Sequence, residues 1–147
     1  MNDPVILLVE DNSSDEELTL LALKKAKIAN KVVVVRDGAE AVDYLFAQGQ
    51  YADRDPMDIP QVVLLDLNLP KLSGLEVLRL IREKPRTKLL PVVILTSSSE
   101  DRDLLEGYTS GANSYLVKPV DFTQFSEAVA QLGLYWLVLN RRPPMRE

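Results

Sequence analysis

The chain has no cysteine and no histidine among its 147 residues, and only one tryptophan and three phenylalanines. Without cysteine, neither a disulfide framework nor a thiolate metal site can form. Without histidine there is no imidazole-based triad, no imidazole-ligated metal and no phosphohistidine carried by this chain itself. Basic residues are the minority: 17 Lys and Arg against 22 Asp and Glu leave a net charge of −5, which argues against a nucleic-acid-binding surface. No apolar run approaches the ~18–20 residues a membrane span needs, and no basic-then-apolar leader precedes the first apolar run. The expectation is a soluble cytoplasmic protein with no membrane segment, a single domain over 1–147 that can fill a core unaided.

What is present is alternation. Short apolar runs, Val5–Val9, Val32–Val35, Val62–Leu65, Pro91–Thr96 and Ser114–Val117, are separated by segments with helical spacing. Uninterrupted runs of this length suit strands buried on both faces, as in a parallel sheet covered by helices. Ser14 and Glu17 read as a capping box opening the first helix, with Leu18, Leu21 and Ala22 inward. Asp37 opens the second, with Ala41, Tyr44 and Leu45 inward, and Ser73 with Glu76 opens the third, which Lys84-Pro85 ends. Glu100, Asp101 and Asp103 open a fourth helix running to Gly111, anchored only by Leu104, Leu105 and Tyr108 and so loosely held. Asp121 caps a fifth, with Phe125, Ala128, Val129, Leu132 and Trp136 on one side. Residues 49–60 are the longest irregular piece, a surface loop within the βα rhythm. The fold class is a doubly wound α/β domain with a five-stranded parallel sheet and five helices.

Its chemistry lies where the strands end. The first strand finishes in Glu10-Asp11, the third in Asp66, the fourth in Thr96 and the fifth in Lys118. All are carboxyl ends, hence one rim of a parallel sheet, the edge where open α/β sheets bind ligands. If the first and third strands are neighbours, three carboxylates converge and repel one another. A divalent cation relieves that, and an all-oxygen site points to magnesium. A carboxylate beside magnesium, with a lysine and a hydroxyl opposite, has the parts for phosphoryl transfer. Each residue also has a plainer use. Glu10-Asp11 can be a helix-start acid pair, Thr96 a satisfied strand end, Tyr115 a packing residue, Lys118-Pro119 a turn and the serines at 97–99 a loop and cap.

The pattern Val9-Glu10-Asp11, Asp66-Leu67-Asn68-Leu69-Pro70, Gly74, Thr96, Tyr115 and Lys118-Pro119 resembles the response-regulator receiver domain of two-component signalling. The resemblance covers a core of about 4–132, leaving a C-terminal helix extension and tail of about 133–147. It implies the flavodoxin-like strand order 2-1-3-4-5, which periodicity alone leaves open. It implies that Asp66 is the phosphoacceptor, and that Asp11, Asp66 and the Asn68 carbonyl ligate Mg2+, with Glu10 helping through a water. It implies that Lys118 holds a phosphoryl oxygen, with a cis bond to Pro119, and that Thr96 and Tyr115 form a switch pair. Glu10 is a departure, since Asp is commoner there. The body, the loop near Tyr51 and Tyr135-Trp136-Leu137 are further similar to the small regulators that serve phytochrome kinases. The partner so implied is a sensor histidine kinase, possibly a phytochrome. Such a protein is no enzyme beyond catalysing its own phosphorylation and dephosphorylation.

Leu134 to Leu139 are six consecutive apolar residues, more than one helix face can bury. With Trp136 turned to the core, Tyr135, Val138 and Leu134 face outward. With no output domain after the last helix, the expected exit for a signal is a homodimer through Tyr135 and Val138 together with the fourth-helix and fifth-strand face. Arg141, Arg142 and Arg146 make a short basic tail, and Pro143-Pro144 stops the helix. Two other readings stand beside this one. A scaffold receiver would work without phosphorylation, although all the acids and the lysine are present. An aspartyl-nucleophile phosphatase would want a second acid where Asn68 stands.

Overall fold

Five parallel strands lie in the order β2-β1-β3-β4-β5: β1 Val5–Val9, β2 Lys31–Val35, β3 Val62–Leu65, β4 Val92–Thr96 and β5 Ser114–Val117. The helices that join them are α1 Ser13–Lys25, α2 Gly38–Leu45, α3 Gly74–Glu83, α4 Asp101–Thr109 and α5 Phe122–Gly133. The coordinates are a computed structural model that describes residues 5–118, 121–141 and 143–144, without the side chain of Val138. Pro119, Arg142 and Arg146 therefore lie outside the described residues, as does the expected cis bond before Pro119.

Alternation along each strand sends its side chains to two separate cores. Leu7, Val9, Val63, Leu65 and Ile94 meet Ala41, Leu45, Val77, Leu78 and Ile81 on one face. Ile6, Leu8, Val62, Leu64, Val93 and Leu95 meet Ala22, Leu23, Phe125 and Val129 on the other. That is why the strands read as continuous apolar runs: both faces are covered.

The helix starts at Asp37, Ser73 and Asp121 are capped by those side chains, which accept from the backbone N–H groups of Glu40, Glu76 and Thr123. Lys84, in extended conformation before Pro85, ends α3. Other expectations are corrected. The α1 cap is Asn12, whose Oδ1 accepts from the Asp15 N–H at 3.0 Å, so the helix starts earlier than a Ser14 cap allows. Its buried face is Thr19, Ala22 and Leu23, an i, i+3, i+4 set, which turns Leu18 and Leu21 to solvent. In α4 the buried residue is Gly107, while Leu105 and Tyr108 are 69% and 51% exposed. The loop before β3 contains a 3-10 turn at Gly49–Tyr51, held by the Tyr51 hydroxyl, which donates to Glu40 Oε2 at 2.7 Å.

After Gly133 the last helix widens into a π-helical segment, Leu134–Leu139, and ends at Asn140, before the prolines. The Asn140 N–H reaches the Tyr135 carbonyl, a five-residue step. Gln61 Nε2, at the entry to β3, donates to the carbonyls of Trp136 and Leu137 at 3.4 and 3.3 Å. Trp136 packs on the α1–α5 core, whereas Leu134 and Tyr135 are half exposed, as the apolar run requires.

Candidate functional site

The register of the sheet builds the site. Val9 lies beside Leu65, so Glu10 and Asp66, the next residue of each strand, emerge side by side. The ladder continues one step past the strands: the Asp66 N–H donates to Val9 O at 3.1 Å and the Lys118 N–H to Thr96 O at 2.7 Å. This fixes the backbones that carry the two functional side chains. Gly74 completes the seat. A Cβ there would lie 2.2 Å from the Asp66 carbonyl oxygen and 2.7 Å from Leu67 Cα, so only glycine lets α3 begin against this backbone.

Carboxylate oxygens of Glu10, Asp11 and Asp66 lie within 4.8 Å of one another. Three hard oxygen donors at this spacing suit a divalent cation of the magnesium, calcium or manganese type. Asp11 is exposed and Glu10 and Asp66 are buried, which leaves the cluster open on one side. Asn68 is exposed and its N–H donates to Asp66 Oδ1 at 3.3 Å, which brings the turn after β3 back to the same carboxylate.

Lys118 crosses from β5 to the acids. Its Nζ lies 2.5 Å from Glu10 Oε1, 3.0 Å from Asp15 Oδ2 and 3.4 Å from Asp66 Oδ2. Burial pushes the Glu10 carboxyl up to about 7, against the opposing pull of the Lys118 ammonium. Burial also works against the ammonium, but the hydrogen bonds it donates to Glu10 and Asp15 and the charge of Asp66 hold Lys118 above the ordinary lysine range.

Among the described residues, Thr96 Oγ1 is a buried side-chain polar atom with no hydrogen-bond partner. A buried hydroxyl without a partner is costly unless something arrives to meet it. That observation weighs against the plain reading of a satisfied strand end. Tyr115, beside Ile94 in the sheet, donates its hydroxyl to Ser98 O at 3.0 Å and holds its ring 6.4 Å from that of Tyr108. Ser98 donates to Asp103 Oδ2 at 2.5 Å, so this serine also ties the loop to the start of α4.

Glu10, Asp11, Asp66 and Lys118 are thus brought together, with Asn68 on the adjoining turn and Thr96 at the end of β4, while Tyr115 sits early in β5 beside Ile94. Asp15 belongs to the cluster too, although its local sequence reads as a helix-start acid. Its cation, Lys118, lies 103 residues away, so no local signal marks it.

Fold and site define a class: a flavodoxin-like α/β domain whose switch-point edge carries acids and a lysine instead of a phosphate-cradling loop. The chain belongs to the response regulator receiver domain family, whose model matches residues 6–130. It is 40% identical over 142 residues to FilR2, a probable methanogenesis regulatory protein of Methanothrix harundinacea, covering 96% of this chain and 89% of that one. It is 39% identical over 133 residues to the response regulator Rcp1 of Synechocystis, covering 90% of this chain and 88% of Rcp1. Rcp1 has been solved in an Mn2+-bound form, with a TM-score of 0.87 at 37% identity over 96% of this chain and 99% of that one. The phosphorylated cyanobacterial phytochrome response regulator RcpA superposes with a TM-score of 0.89 at 38% identity, over 97% of this chain and all of RcpA. The chain is a two-component receiver, a signalling protein and not a conventional enzyme. No helix among the described residues is long and apolar enough to cross a membrane.

Proposed function

We propose that Asp66 accepts a phosphoryl group from a sensor histidine kinase, and that the chain signals by the resulting change in conformation and association. The reading rests above all on one observation: Glu10, Asp11, Asp66 and Lys118, from three separate strand ends, converge on one rim. Mg2+ is the proposed ion, held by Asp11, Asp66 and the Asn68 carbonyl with Glu10 behind it. When bound, it offsets charge on the phosphoryl oxygens.

The chain's own residues do the rest. An Asp66 oxygen attacks phosphorus, and the bond from phosphorus to the donor nitrogen breaks as the new P–O bond forms. Lys118, already 3.4 Å from Asp66, turns an N–H toward a phosphoryl oxygen. The partnerless Thr96 hydroxyl meets another. As Thr96 moves, the Tyr115 ring and the loop it holds at Ser98 follow, which carries the change to α4 and β5. Hydrolysis of the adduct in the same site returns the resting state, so phosphorylation and dephosphorylation are the only reactions the chain catalyses.

The proposed kinase is of the phytochrome type and the proposed location cytoplasmic; the likeness to RcpA supports the kinase. FilR2, equally similar in sequence, carries another description, and the sensor class rests on the phytochrome and bacteriophytochrome response regulators among the solved relatives. The proposed exit is a homodimer through Tyr135 and Val138 of the extension at about 133–147 and through the α4–β5 face. Half-exposed Leu134 and Tyr135 support it, as does a groove of about 270 Å³ lined by Tyr115, Leu116, Ala128, Leu132, Tyr135 and Trp136.

Incubation with acetyl phosphate and magnesium tests the reading by intact mass. Wild type should gain one phosphoryl group, EDTA should prevent it, and Asp66→Asn should gain none while melting as a folded protein. Labelling of Asp66→Asn, or labelling insensitive to EDTA, contradicts the proposal.

A further inference from the structure

Lys118 spends all three of its ammonium hydrogens on carboxylates: Glu10 at 2.5 Å, Asp15 at 3.0 Å and Asp66 at 3.4 Å. A phosphoryl oxygen arriving on Asp66 can engage this ammonium only by displacing one of them. The Asp66 contact is beside the new group and turns with it. Of the remaining two, Glu10 is enclosed, with a side chain 1% exposed, whereas that of Asp15 is 35% exposed. Releasing Glu10 leaves a buried carboxylate without its cation, a costly state. Releasing Asp15 returns a carboxylate to water at little cost.

We infer that Asp15 is the exchangeable partner of Lys118: it parks the ammonium in the resting protein and gives way when a phosphoryl group occupies Asp66. The inference rests on the reading of Asp66 as phosphoacceptor. Asp15 is a positioning residue, acting through Lys118 and absent from the metal-competent trio. It also belongs to the first turn of α1, where its N–H is capped by Asn12 and its carbonyl accepts the Thr19 hydroxyl at 2.8 Å. Phosphorylation therefore cuts a link between the end of β5 and the start of α1. Both backbone contacts are independent of its carboxylate, so exchanging that group leaves the helix start in place.

Beryllofluoride, a phosphoryl mimic, tests this on the full chain at saturating magnesium. Asp15→Asn should bind it about two- to fivefold more tightly than wild type, the value of one partly exposed ion pair. Asp15→Glu, which restores a carboxylate, should return the affinity toward that of wild type. In wild type, the side-chain carboxyl carbon resonance of Asp15 should shift on saturation as it loses the ammonium. Unchanged or weaker binding by a folded Asp15→Asn, or an Asp15 resonance that does not move, overturns the inference. If wild type takes up no beryllofluoride, or takes it up equally as Asp66→Asn, the phosphoacceptor reading fails first and the inference with it.

Discussion

Burial holds the Glu10 carboxyl at about 7 against an ordinary value of 4.5, so its protonation differs between folded and unfolded chains. Between those values the folded state keeps a proton that the unfolded state has lost. The stability this lends is complete below about 4.5 and gone once pH rises through about 7. In metal-free protein, wild type should therefore lose melting temperature relative to Glu10→Gln as pH climbs across that window. Magnesium needs ionised ligands, so its stabilising increment should grow over the same range. Scanning calorimetry of both proteins with and without magnesium reads this, and a pH-independent difference contradicts it. Glu10, Asp11, Asp66, Thr96 and Lys118 were legible in the sequence because each is a polar residue terminating an apolar run. Asp15 was not. Its partner comes from the opposite end of the chain, and nothing local separates a lysine's counter-ion from a helix-start acid.

Among the elements, α4 departs furthest from its apolar pattern. Leu105 and Tyr108 look like anchors but point to solvent, and the helix seats itself through Gly107. A Cβ at that glycine would stand 2.8 Å from Ile94 Cδ1 and 3.2 Å from Tyr115 Cδ2. The missing side chain is what lets α4 close onto the Tyr115 ring. Gly107→Ala gains roughly 1 kcal/mol of helix propensity, yet overpacking costs about 1–3 kcal/mol. The balance should be a net loss of about 1 kcal/mol, seen as a lower denaturant midpoint with unchanged slope. A stabilised variant contradicts the close seat. The exposed face of α1 escaped the sequence for the same reason. Periodicity weights large apolar residues such as Leu18 and Leu21, whereas Thr19 and Gly107 turn inward because small residues permit close approach.

At the scale of the molecule, strand number and alternation were plain, since a sheet covered on both faces leaves long apolar runs. The order 2-1-3-4-5 was not, because periodicity says which faces are buried and never which strand lies beside which; it came from the family resemblance. The C-terminal run was legible as a surplus of apolar residues, but its π-helical widening was not, and neither was the distant Gln61 side chain that donates to the carbonyls of Trp136 and Leu137 there. Tyr135, 50% exposed and edge-on to Trp136 at 5.0 Å, is the residue to test as an association surface. Tyr135→Glu should sediment as a monomer at tens of micromolar, a concentration range where a standard interface of about 800 Å² per partner holds a dimer, while still accepting phosphate at Asp66. Monomeric wild type, phosphorylated and not, removes the homodimer from the account.

The strand-end carboxylate of Asp66 is the proposed acceptor of the phosphoryl group. Borohydride reduces an aspartyl phosphate to homoserine, which peptide mass mapping locates to a single residue. After reaction with a phosphodonor and magnesium, homoserine should appear at position 66 and at no other acid of the cluster. Homoserine at Asp11 or Asp15, hydroxynorvaline (the glutamyl product) at Glu10, or neither in a chain that has gained a phosphoryl group, contradicts the assignment.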